Sequence, residues 1–258
     1  MMPNYKKVTI AGDVVEIEEY FSPRKVGENV IRGSNQALTD KQQQERNLQL
    51  ARRKLARKIN ANFSHNDYFL TLTHAKRLDD ISAKAALQKY LRRIRDFCKR
   101  KDLPAIKYIA VTETEKRPHH HLILNKDIPV NVIFDKWDYG RVMITKVDKG
   151  GDYTGLAYYI TKEANQKRRW TCSRNLSEPV VIRTEIKRRT RDLKLPPKYR
   201  KTHRVVQAER YFSEVTGEIR YLKAVRIGGA DLAEGGMTPP KEVGNEHLRG
   251  KQVFGQSG

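Results

Sequence analysis

Apolar and polar positions along the 258-residue chain alternate in short strand-like runs, interrupted by two long stretches with helical spacing. Lys7 to Ile10 and Val14 to Tyr20 flank Gly12-Asp13, a turn dipeptide joining two short strands. Residues 21–40, with Pro23, Gly27, Gly33 and Ser34, read as a loop. From about 41 to 60, Leu48, Ala51, Leu55 and Ile59 recur on one helical face among Arg and Lys, with Thr39 or Asp40 able to cap the helix. Tyr68 to His74 is the first strong strand. A capped helix follows from about Ser82 to Lys101, carrying Ala86, Tyr90, Ile94 and Phe97 along one face, and Pro104 ends the unit.

Ile106 to Thr114 and His119 to Leu124 predict a hairpin turning at Lys116-Arg117-Pro118. Val130 to Lys136 predicts a short helix, Tyr139 to Val147 a strand, and Tyr153 to Gln166 a helix after Gly150-Gly151. The order β-α-β-β-α-β-α predicts an α+β fold of the split βαβ, ferredoxin-like type, an antiparallel sheet with helices on one face. Beyond it, Pro179 to Ile186 reads as a strand, Pro196-Pro197 as a break, and Arg210 to Val215 with Glu218 to Val225 as a second hairpin through Thr216-Gly217. The segments suggest an N-terminal hairpin and basic helix over 1–60, a core over 61–176, a basic extension over 177–227, and a Gly/Pro-bearing disordered tail over 228–258.

Composition sharpens this outline. The chain has 52 Lys+Arg against 30 Asp+Glu, a formal net charge of +22. The excess is regional: residues 167–204 carry +11, residues 41–60 +6 and residues 76–101 +7, and the other 174 residues sum to −2. Such clustering points to a polyanion as partner, with Arg168, Arg169, Arg174, Lys187, Arg188 and Arg189 the candidate contacts after the last core helix. Two distant cysteines, Cys98 and Cys172, cannot build a disulfide framework or a thiolate zinc site. No run of 18 apolar residues and no signal-peptide pattern is present, which predicts a soluble, cytoplasmic protein with no membrane partner. No G-x-x-x-x-G-K-[ST] phosphate loop occurs, so strand separation would need a separate helicase.

Pro118-His119-His120-His121-Leu122 carries the clearest chemistry. Side chains alternate along a strand, so His119 and His121 share one face and His120 takes the other. Two imidazoles about 7 Å apart can chelate one divalent ion. Glu113 and Glu115 share a parity on the preceding strand, and a three-residue turn would set Glu115 opposite His119 and Glu113 opposite His121. Either carboxylate completes a two-His-one-carboxylate set open to a phosphate oxygen, suited to Mg²⁺ or Mn²⁺. In Tyr158-Tyr159-Ile160-Thr161-Lys162, helical spacing lets Lys162 adjoin either Tyr159 or Tyr158, and a neighbouring ammonium favours phenolate attack.

The order of the Tyr68-Phe69-Leu70-Thr71-Leu72-Thr73 strand, the Pro118-His119-His120-His121-Leu122 strand and the Tyr159-Ile160-Thr161-Lys162 helix resembles the three motifs of HUH endonucleases, specifically rolling-circle replication initiators of small plasmids and single-stranded DNA phages. Ser173-Arg174-Asn175-Leu176 resembles the stretch that follows the tyrosine helix in phage-type initiators. The resemblance implies a nickase that forms a 5′-phosphotyrosine link on single-stranded or hairpin origin DNA in a bacterial host, leaves a 3′-OH primer for a polymerase and later joins strands. It implies His119, His121 and Glu113 as metal ligands and Tyr159 as nucleophile with Lys162 assisting. This chain departs from the pattern in having His120 where a hydrophobic residue is usual, in the short gap between Glu113 and the histidines, which keeps Glu115 in play, and in adjacent tyrosines that cannot share a helix face. A relaxase or single-tyrosine transposase would share the site. A non-catalytic nucleic-acid-binding protein would instead stack bases on Tyr68, Trp137 and Tyr139.

Overall fold

In the computed structural model, which describes residues 4–22, 40–114, 117–162, 170–189, 191–213 and 217–227, the histidine tripeptide lies in a five-stranded antiparallel sheet. Its strands are β3 (Tyr68–His74), β4 (Tyr108–Glu113), β5 (His119–Leu124), β6 (Gly140–Lys146) and β7 (Thr171–Cys172), in the order β6-β3-β5-β4-β7. Strand β5 inserts between β3 and β4, which are linked through helix α2 (Asp80–Arg100), so the predicted split βαβ plan is present. The short helix α3 (Val130–Asp135) connects β5 to β6, and α4 (Thr154–Ile160) connects β6 to β7.

Helices cover both faces of this sheet, where the sequence pattern had suggested one. The cause lies in β4 and β5, whose runs Ile109-Ala110-Val111 and Leu122-Ile123-Leu124 are buried at every position. Even-numbered residues Leu70, Leu72, Ala110, Leu122 and Leu124 pack against Leu87, Tyr90, Leu91 and Ile94 of α2. Odd-numbered Phe69, Ile109, Val111 and Ile123 pack against Leu55 and Ile59 of helix α1 (Asp40–Asn62) and Ala157 and Ile160 of α4. Each such side chain contributes about 1.5–3 kcal/mol relative to exposure. Helix α2 begins one turn earlier than a cap near Ser82 would place it, because Asp79 is the N-cap and accepts from the Ser82 backbone N–H and hydroxyl.

A second five-stranded sheet joins the two ends of the described chain. It consists of β1 (Asn4–Ala11), β2 (Val14–Phe21), β8 (Val180–Ile186), β9 (His203–Ser213) and β10 (Gly217–Arg226), in the order β8-β1-β2-β10-β9, with the single-turn helix α5 (Pro197–Arg200) before β9. Both predicted hairpins are present, and β9 begins at His203, earlier than the pattern indicated. One face encloses Val15, Ile17, Leu195, Leu222 and Ala224. The other meets α1 through ions: Arg53 and Arg57 reach Glu16 and Glu18, while Arg220 pairs with Glu19 at 2.7 Å. Burial alone would raise the Glu16 carboxyl, but the Arg57, Arg53 and Lys223 cations outweigh it and hold the group below the usual carboxylate range. Part of the basic charge of α1 is thus neutralised inside the molecule. At the β1–β2 turn, Gly12 has φ +56°, and a Cβ there would lie 2.0 Å from the Asn60 carbonyl oxygen, so only glycine fits.

Candidate active site

The register of the β4–β5 hairpin decides which carboxylate meets the histidines. Glu113 pairs with His119 and Val111 with His121, so the connection is two residues longer than the predicted turn and Glu113, not Glu115, lies opposite His119. Glu115 is outside the described residues. Arg117 donates to the His74 carbonyl at 2.9 Å, and the His74 N–H donates to the Pro118 carbonyl at 3.1 Å, fixing the end of this loop to β3.

Glu113, His119 and His121 converge so that their candidate ligand atoms all lie within 4.8 Å of one another. Glu113 Oε2 is 2.9 Å from His119 Nε2, and Glu113 Oε1 is 3.7 Å from His121 Nε2. His119 Nδ1 is 2.9 Å from the Arg117 carbonyl. A carbonyl only accepts, so Nδ1 carries the hydrogen and Nε2 is left to face the carboxylate as a metal ligand would. His121 stacks on Phe69 with ring centroids 5.6 Å apart and an interplanar angle of 13°. Burial lowers His121 to about 4 despite the opposing Glu113 carboxylate, with His119 and Lys162 adding to the fall, which leaves a neutral imidazole near neutral pH. Two imidazole nitrogens and one carboxylate oxygen are a donor set that can hold a divalent ion.

His120 faces the opposite side, as the alternation predicts. It is fully buried, with Nε2 2.9 Å from His74 Nε2 and Nδ1 2.9 Å from the Thr112 hydroxyl. Trp137 packs edge-on to His74, His120 and Tyr90, so it has no surface for stacking a base.

The two adjacent tyrosines of α4 diverge. The Tyr159 ring is 5.5 Å from the His121 ring and 6.1 Å from Phe69, on the same sheet face as the Glu-His-His group. Tyr158 turns to α1, where its hydroxyl donates to Gln49 Oε1 at 2.7 Å and Arg52 lies 4.9 Å from the ring centroid. Helix α4 ends at Ile160, short of the predicted Gln166, and residues 163–169, including Arg168 and Arg169, are outside the described residues. Its last turn closes early because the Thr161 hydroxyl donates to the Ala157 carbonyl at 2.6 Å and Arg52 donates to that same hydroxyl oxygen at 3.3 Å. Lys162 therefore lies in the turn beyond the helix, with its ammonium 5.3 Å from the Tyr159 ring centroid.

The start of α4 depends on residues that the motif reading passed over. The Tyr153 N–H donates to Asn60 Oδ1 at 2.8 Å. Thr154 donates to Asp152 Oδ1 through its N–H at 3.1 Å and its hydroxyl at 2.6 Å. Lys223 of β10 reaches Asp152 Oδ2 at 3.0 Å and the Thr154 hydroxyl at 2.8 Å. Asp152 two residues before Thr154 is a local capping signal that sequence could have supplied; Lys223, 71 positions away from Asp152, is not.

The basic candidates scatter. Arg174 is exposed beside the start of β4, where Ser173 and Asn175 bond to Tyr108 and Ile106. That is the opposite end of β4 from Glu113, roughly 17 Å away at strand rise. Lys187 and Arg188 are exposed, whereas Arg189 bonds the Glu19 and Glu218 carbonyls and lies over Phe21. Among the described residues no helix is long and apolar enough to cross a membrane.

Residues 67–164 match the model of a replication-associated protein family, Replication-associated protein ORF2, a span that takes in β3, Glu113, the histidine strand and α4 and closes just past Lys162. No curated protein and no solved structure matches the chain.

Proposed function

We propose that this protein is a rolling-circle replication initiator of the HUH type, which nicks single-stranded origin DNA by transesterification onto Tyr159. The observation that carries the reading is the Tyr159 ring beside His121, on the sheet face that gathers Glu113, His119 and His121. The match of residues 67–164 to a replication-associated family supports the same reading. Glu113, His119 and His121 would hold a divalent ion, Mg²⁺ or Mn²⁺, which when bound supplies charge neutralisation to the scissile phosphate.

In the reaction the Tyr159 Oη gives up its proton and forms a bond to phosphorus. The P–O3′ bond breaks, and the departing 3′ oxygen takes a proton to become the free 3′-OH. Lys162, with its ammonium against the Tyr159 ring, favours the phenolate form that attacks. Reversal by another 3′-OH restores the phosphodiester and frees the tyrosine, because the covalent link keeps the bond energy. Host helicase and polymerase would separate the strands and extend the 3′-OH.

Incubating the protein with end-labelled origin single strand and Mn²⁺ tests the assignment. A covalent protein–DNA adduct is expected that Tyr159→Phe abolishes and Tyr158→Phe retains. An adduct undiminished in Tyr159→Phe would remove Tyr159 from the nucleophilic role.

A further inference from the structure

The second sheet does more than close the chain upon itself. Between α1, α4 and strands β9 and β10 lies an open cleft of about 320 Å³, near the ~300 Å³ lower bound of small-ligand sites. Its walls are two half-exposed tyrosines, Tyr158 from α4 and Tyr211 from β9. Its floor is Tyr221, with the Arg53 guanidinium 4.5 Å from that ring centroid. Gln49 of α1 and Gln207 of β9 add amide groups to the lining.

The charges at this cleft cancel. Arg53 pairs with Glu16 and Glu18, and Lys223 pairs with Asp152, so the lining presents little net charge to a ligand. A phosphate would gain little here from ions already paired to carboxylates. A flat, uncharged group with hydrogen-bonding edges fits better: aromatic faces for stacking and amides that can both donate and accept. The cleft is also joined to the reacting centre through covalent neighbours, since Tyr158 lines it and the next residue, Tyr159, faces His121.

We infer that this cleft between α1, α4 and the second sheet binds an unstacked nucleobase of the single strand adjoining the phosphate at Tyr159, with Tyr211 and Tyr158 as the stacking surfaces. The inference rests on the nicking function proposed above for the identity of the strand, but its binding test does not require cleavage. The base is held by π-face contact, which every base offers, while the Gln49 and Gln207 amides can grade preference among bases by their edges. Tyr211 is a binding residue in this scheme and takes no part in phosphoryl transfer.

The full chain and an oligothymidylate of about 20 nucleotides carrying 4-thiothymidine provide the test. After irradiation, mass spectrometry is expected to find crosslinks on peptides containing Tyr211 or Tyr158. At fixed salt, Tyr211→Ala should bind oligothymidylate roughly tenfold more weakly, within the range for losing one stacked base, and bind an abasic oligomer of equal length as the parent does. Tyr211→Phe, which keeps the ring, should bind oligothymidylate as the parent does, and equal thermal melts of the variants establish that the fold is intact. Crosslinks confined to other surfaces, or equal effects of Tyr211→Ala on the two oligomers, overturn the cleft. Crosslinks at Tyr211 without any covalent adduct would leave the cleft standing and remove the nickase reading; an adduct without those crosslinks does the reverse.

Discussion

Replacing Lys223 with methionine isolates the link between the second sheet and the tyrosine helix. Methionine keeps the apolar stem and removes the ammonium, whose side chain is only 8% exposed and which bonds Asp152 and Thr154. A hydrogen bond to a charged group contributes about 1.5–3 kcal/mol, and breaking a buried pair costs about 3–5 kcal/mol. The Asp152 side chain is 21% exposed, so returning water solvates part of the orphaned carboxylate and places the loss at about 2–3 kcal/mol. Burial alone would raise the Asp152 carboxyl, but Lys223 and the Thr154 bonds outweigh it and hold the group below its ordinary value. A folded-state pKa below the unfolded one stabilises above about pH 4 and loses that contribution as pH falls through the folded value. The deficit of Lys223→Met should therefore be largest near neutrality and shrink toward about pH 3, with the Asp152→Asn/Lys223→Met double variant recovering part of it. Urea unfolding of the parent, the two single variants and the double variant across pH measures this. A deficit under about 0.5 kcal/mol, or one independent of pH, would refute the clamp.

Manganese at about one hundred times its dissociation constant should stabilise the protein by about 2.7 kcal/mol, a rise in melting temperature of about 5–10 °C. EDTA should reverse that rise, and the His119→Ala/His121→Ala variant should show none in differential scanning fluorimetry. Gly12→Ala should lose at least about 1–2 kcal/mol in urea unfolding from the left-handed backbone alone, and more from the contact with the Asn60 carbonyl. A neutral result would mean that the turn can move away from α1.

Local signals carried the first sheet and much of the site. Tyr68–His74 was legible because β-branched and aromatic residues run between turn residues, and α2 because its apolar positions recur every three or four residues behind a cap. The shared face of His119 and His121 follows from strand parity alone. The partner of His119 did not, because the length of an irregular loop depends on tertiary contacts such as those of Arg117 and Pro118 with His74, which no local pattern encodes. The second sheet was hidden for a similar reason. Its pairings of Val8 with Ile182 and Ile17 with Leu222 join residues more than 170 positions apart, and alternation in a strand does not name its neighbour. Glu16, Glu18 and Glu19 look like a solvated edge in sequence, yet they are buried because α1 and β10 bring arginines to them.

That long-range pairing sets an order of events during synthesis. Strand β2 ends at Phe21, and its partner β10 begins at Gly217. At about 5–20 residues per second, the ribosome takes roughly 10–40 s to deliver the second strand after the first. Over that interval one edge of β2 is without its partner, while every strand of the first sheet and the tyrosine helix have already been made. Lys223 is among the last described residues to arrive, so the helix bearing Tyr159 gains its anchor only after every other part of its surroundings has been made. A chain cut short before β10 would hold the Glu-His-His group and both tyrosines with nothing to brace the start of α4, which makes the arrival of that strand a checkpoint on the candidate site.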